Sequence, residues 1–194
     1  MSNDLMLDVG QANELKLAFR RAGYSNDEIK KLCEGSTLAD VRSVLLGQAE
    51  IKIVDHVIDC NADPVLPNGW KVEEHQKTGS FKWDPKHVPF YLSKSQKKDS
   101  YIEGKKLRKE LAGMRMLNAN VLDYLLKNPQ LIPEEWKRDE QGRIRYIFFW
   151  GTIYRDSCGL CVRSLCCHVG QWDWDYSWLD RDWDGRSPAA LRAS

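Results

Sequence analysis

Apolar and polar positions change their period along the chain. From Gln11 to Leu46 the apolar residues recur at helical spacing between glycines. Gln11–Arg21 carries Leu15, Leu17, Ala18 and Phe19 and stops at Gly23. Ser25 reads as the N-cap of a second helix. Its oxygen can accept a free backbone N–H, and Glu28 three residues on completes a capping box. Ile29 and Leu32 form the apolar edge of that helix, and Gly35 ends it. Ser36 or Thr37 opens a third helix, with Leu38, Val41, Val44 and Leu45 on one side and Gly47 after it. The pattern predicts a small three-helix module over residues 1–50.

Beyond Gly47 the pattern becomes strand-like. Ile51–Cys60 favours a strand, followed by turns at 61–64 and 67–69. Trp70–Glu74, Ser80–Trp83 and Val88–Leu92 read as short strands, the last held to an edge by Pro85 and Pro89. Ile102–Leu111 reads as a short helix with Leu107 and Leu111 inward. Asn118–Asn128 is the clearest helix, with Val121, Leu122, Leu125 and Leu126 on one side and Pro129 as its stop. Arg143–Arg155 is apolar on both sides, the mark of a strand covered above and below. Leu160–Val169 and Trp172–Leu179 return from it across short turns. These three strands predict an antiparallel meander with the 118–128 helix packed on one face. The expected fold is therefore α+β: a small N-terminal three-helix module (1–50), then an α+β domain (51–194) with an aromatic-rich antiparallel β-meander.

Charge sharpens this picture in one place only. The 194 residues hold 29 Lys and Arg against 28 Asp and Glu. The overall charge therefore does not draw the chain onto nucleic acid or anionic lipid. Residues 1–50 carry six bases and eight acids, which argues against a DNA-reading module. Residues 94–116 hold eight bases and three acids, four of the bases being Lys105, Lys106, Arg108 and Lys109 on the predicted helix. The ordinary reading is a solvated helix face; the sharper one is electrostatic contact with an acidic or phosphate-bearing partner. The first residues lack a basic, then apolar, secretory pattern, and no apolar run approaches the roughly 20 residues of a membrane helix. A cytoplasmic protein without membrane association is expected. Its six cysteines are expected to be free thiols.

Five strings stand out as motifs: Ile58–Pro64, Gly69–His75, Asn118–Trp136, Tyr146–Arg155 and Pro188–Ser194. Together they resemble a family of uncharacterised bacterial cytoplasmic proteins, over nearly the whole chain. The resemblance implies a bacterial, cytoplasmic, single-unit protein; it brings no activity, cofactor or catalytic residue. At Cys158, Cys161, Cys166 and Cys167 the chain departs from the family pattern of polar and aromatic residues, which weakens any site built on them.

Four patterns suggest chemistry. Cys158, Cys161, Cys166 and His168 are an imaginable zinc set, but strand parity puts Cys161 and Cys166 on opposite faces. Small unliganded thiols are the simpler reading. Asp180, Asp182, Asp184 and Gly185 match the opening of a calcium loop, yet position twelve is Leu191 where a bidentate Glu is needed. Glu73 and His75 share strand parity and can share proton-transfer work, with Asp173 or Asp175 as further candidates. Trp172, Trp174, Tyr176 and Trp178 project to one side of the last strand. Such a row is more often the buried face of a sheet; if exposed, it is a binding surface.

No phosphate loop, nucleophile elbow or zinc-protease string occurs. The leading expectation is a non-enzymatic binding protein, with no cofactor and no metal. It would contact a macromolecular partner, protein rather than nucleic acid, through the basic helix (Lys105, Lys106, Arg108, Lys109) and the Trp-rich strand (Trp172, Trp174, Tyr176, Trp178). The alternatives are an enzyme with an aromatic- and acid-lined cleft working by hydrolase-like acid–base chemistry, or a zinc-stabilised domain.

Overall fold

A computed structural model describes residues 6–52, 54–98 and 100–193. The N-terminal pentapeptide, Ile53, Asp99 and Ser194, all within segments read above, lie outside the described residues. The chain forms two compact units, Met1–Val54 and Asp55–Ser194.

The first unit holds α1 (Val9–Arg21), α2 (Asn26–Leu32) and α3 (Thr37–Leu45). The Ser25–Glu28 capping box is formed, and α1 opens on a second one built by Asp8 and Gln11. None of the three helices has a fully buried residue. Phe19 packs edge-on against Tyr24, while Leu15, Leu17, Leu38 and Val41 stay exposed.

The second unit runs β1 (Val57–Asp59), β2 (Lys71–His75), β3 (Ser80–Lys82), β4 (Phe90–Tyr91) and β5 (Ile102–Glu103), then α4 (Gly104–Glu110) and α5 (Ala119–Lys127). It ends with β6 (Ile147–Phe148), β7 (Thr152–Arg155), β8 (Leu160–His168), β9 (Gln171–Trp178), β10 (Asp182–Trp183) and β11 (Ala189–Ala190). β1 pairs β3, and β5 pairs β10. The remaining seven strands form one sheet in the order β2-β7-β8-β6-β11-β4, with β9 along the other side of β8.

This sheet corrects the expected meander: it is a curled, mixed half-barrel. The single strand predicted over Arg143–Arg155 is two, β6 and β7, broken at Gly151. A Cβ on Gly151 would stand 2.9 Å from the Cα of Asn118. Its N–H donates to the Leu117 carbonyl and its own carbonyl accepts from Gln76. The chain is thus drawn out of the ladder at that point, and β6 and β7 meet different stretches of β8. The C-terminal segment then supplies β11, which runs parallel to β6. Nothing in a two-residue Ala-Ala strand announces such a non-local pairing.

Two more boundaries move. Among the described residues of Ile51–Cys60, only Val57–Asp59 is strand. The predicted helix from Ile102 starts at Gly104, because Ile102 and Glu103 pair with β10. A Cβ on Gly104 would meet Trp183 Nε1 at 2.6 Å and the Leu179 backbone at 2.8 Å, so the first turn of α4 can lie against Trp183 only as glycine.

The β8–β9 register decides which side chains share a face. Cys161, Arg163, Leu165 and Cys167 stand with Trp178, Tyr176, Trp174 and Trp172 on one side. Here α5 packs Val121, Leu122 and Leu125 over Leu165, Ile147 and Phe149. On the opposite side, Val162, Phe148, Trp150 and Ile153 are covered by Leu107 of α4, by Leu111 at its C-cap and by Trp183. Phe148 and Phe149, adjacent in sequence, are buried in these two separate cores.

Candidate functional site

β9 alternates as its sequence predicts, with Trp172, Trp174, Tyr176 and Trp178 half-buried and Asp173 and Asp175 exposed. The row is neither closed core nor open groove. Its inner edge packs on the α5-side core, and Trp70, from just before β2, stands edge-on to Tyr154, Trp174 and Tyr176, with centroids 5.5, 6.1 and 4.9 Å away. Edge-to-face contact puts the positive rim of one ring against the negative face of the next. Three rings also hold the chain's own cations: Lys137 lies over Trp172, Arg163 over Trp174 and Arg181 over Trp178. The Trp178 indole N–H donates to the Asp156 carboxylate. The result is a fixed aromatic stripe with one side turned to water.

Beneath it lies a polar pair that the sequence reading missed. Arg163 Nη2 donates to Asp123 Oδ1 at 2.8 Å from the buried face of α5. Arg163 Nε and Nη1 and Asp123 Oδ2 find no partner among the described residues. Arg163 was legible as an anomaly, a lone charge inside the apolar run Leu160–Cys167.

The basic helix does not join the aromatic row. α4 covers the opposite face of the sheet. Its charges are also largely neutralised: Lys105 pairs with Asp180, Lys106 with Glu103 and Arg108 with Glu74. A single flat contact cannot use both groups.

The proton-transfer candidates are dispersed as well. Glu73 accepts two hydrogen bonds from Arg155, at 3.0 and 3.1 Å, and these hold its carboxyl below the usual range. His75 Nδ1 lies 2.8 Å from Thr152 Oγ1, which already accepts the Ala119 N–H at 3.0 Å. Burial, first among the causes, lowers the pKa of His75. Asn118 completes this cluster by donating to the Cys60 and Gln76 carbonyls and accepting from Asn120 N–H as the N-cap of α5. The cluster locks β2, β7 and α5 together. Asp173 and Asp175 are two strands away from it, beyond β7 and β8.

The metal patterns come apart in three dimensions. Cys161 and Cys166 point to opposite faces, and burial pushes both thiols up to about 12, so neither readily forms a thiolate. Cys158 is exposed, and all six cysteines are unbridged. Of the calcium-like run, Asp180 holds Lys105, Asp184 accepts from the Arg186 backbone and guanidinium, and Asp182 sits in β10. Among the described residues no group of three or more His, Cys, Asp or Glu side chains is placed to hold a metal ion. No described helix is long and apolar enough to cross a membrane.

A cleft of about 430 Å3 lies elsewhere, between Phe90, Gln96, Arg143, Arg145 and Pro188. Arg145 stacks over Phe90 and Arg143 is held by Asp139, so two of the three cations that line it, Lys97 being the third, are already engaged.

Comparison with known proteins gives no relative: no family model, no curated protein and no solved structure matches the chain.

Proposed function

We propose that this chain is a non-enzymatic binding protein that contacts a protein partner through the aromatic stripe of β9. The observation that carries this reading is the half-exposure of Trp172, Trp174, Tyr176 and Trp178 in one line on a rigid strand. Large rings fixed by their neighbours offer contact area at little further entropic cost. The exposed Asp173 and Asp175 beside them repel phosphate, which favours protein over nucleic acid. The basic helix, on the far face with three of its four cations paired, is left out of the contact.

The test is selection of binders from a display library against the full chain, followed by titration of each binder against a Trp172→Ala/Tyr176→Ala variant checked for folding by circular dichroism. Binders should lose affinity at least roughly tenfold on the variant. Binders indifferent to both rings would overturn the reading.

A further inference from the structure

We propose that the outer edge of β9 is a docking site for an extended basic segment of the partner, which adds to the sheet as a further strand. The proposal rests on the aromatic-stripe reading and names the chemistry of its partner. β9 pairs with β8 over its whole eight-residue length, and among the described residues no strand pairs with its other side. The direction of its main chain follows from two hydrogen bonds. Leu179 N–H donates to the Leu160 carbonyl, and Phe149 N–H donates to the Arg163 carbonyl. Even-numbered residues of β8 therefore face β9, and the residues opposite them, Gln171, Asp173, Asp175 and Ser177, face back. Trp172, Trp174 and Tyr176 turn their N–H and C=O groups outward.

An open edge of this length is a template for any passing strand. Here two of the outward donors are covered by the chain's own acids. Trp174 N–H donates to Asp173 Oδ1 at 2.7 Å, and Tyr176 N–H donates to Asp175 Oδ1 at 2.8 Å. Each carboxylate lies in the place where an incoming carbonyl would bind. Both acids are exposed, and neither forms an ion pair among the described residues. A neutral or acidic strand would have to displace them without recompense. A strand with Lys or Arg at alternate positions gives each carboxylate a cation in exchange for the N–H it releases, and the freed N–H then takes the incoming backbone carbonyl. The residues between the bases turn to the ring side, where Trp172, Trp174 and Tyr176 favour apolar side chains. The same two acids thus guard the edge and select its occupant.

The probe is an N-acetylated, dye-labelled eight-residue peptide alternating lysine and valine, titrated into the full chain. Two further versions carry N-methyl groups on the lysines or on the valines. We expect saturable binding that weakens roughly tenfold in an Asp173→Asn/Asp175→Asn variant, whose amide oxygens still cap the strand. We also expect only one N-methylated version to lose binding, since only one edge of the peptide faces β9. Amide exchange should slow at Trp174 and Tyr176. No binding at millimolar peptide, equal affinity for the neutral variant, or equal tolerance of both N-methylated versions would overturn strand addition. If library-selected binders still require Trp172 and Tyr176 in that case, the aromatic surface stands and only the edge proposal falls.

Discussion

Arg163 and Asp123 form an ion pair at 2.8 Å with side chains only 4% and 12% exposed, which ties β8 to α5 directly beneath the Trp174 ring. Breaking such a pair from one side leaves a buried charge without its counterpart. Asp123→Ala alone should lower stability by about 3–5 kcal/mol, whereas an Arg163→Met/Asp123→Leu double variant should recover much of that loss. Urea unfolding of the single and double variants checks this. Equal losses in both would show that the pair contributes by packing alone.

Phe148 and Phe149 are buried in separate cores on the two faces of the sheet. Truncating either to Ala should cost roughly 3–5 kcal/mol. Because the two cores share no side chains, the double variant should be close to additive. Thermal melts of the three variants test it; unchanged stability in both single variants would refute the two-sided burial.

Gly104 and Gly151 sit where a methyl group has no room, against Trp183 and Leu179 in one case and Leu117 and Asn118 in the other. Gly104→Ala and Gly151→Ala should each destabilise by about 1–3 kcal/mol, read as a lower urea midpoint. Neither glycine has a positive φ, so the loss reports close approach rather than backbone strain.

The buried thiols give a pH dependence with a definite sign. Burial pushes the Cys161 and Cys166 thiols up from their ordinary range to about 12. Between those values the folded chain keeps protons that the unfolded chain has lost. Their stabilising contribution is therefore complete below about pH 9 and declines as the pH rises towards 12. Urea midpoints at pH 8 and pH 10.5 should show the fall. At pH 8 a thiol reagent should label the exposed Cys33 and Cys158 quickly and the other four cysteines only on unfolding.

Local signals were enough for much of this molecule. The Ser25–Glu28 box, the helix from the Asn118 cap to Pro129 and the alternation of Gln171–Trp178 all depend on neighbours a few residues away. Each therefore appears where its pattern places it. Arg143–Arg155 failed as a single strand because its break at Gly151 answers to Leu117, Asn118 and Gln76, all distant in sequence. The basic helix was legible as a helix, but the acids that neutralise it, Glu74 and Asp180, come from β2 and from the turn after β9.

What the sequence determined by itself is the identity and spacing of the groups: the helices, the row of rings, the acids between them. Only the tertiary structure decided how exposed that row is, which cations lie on it, and that α4 stands on the other face. The reason is physical. Periodicity fixes which side of a strand a residue occupies, but the side that meets water depends on what packs there, and those partners arrive through pairings that no local pattern encodes.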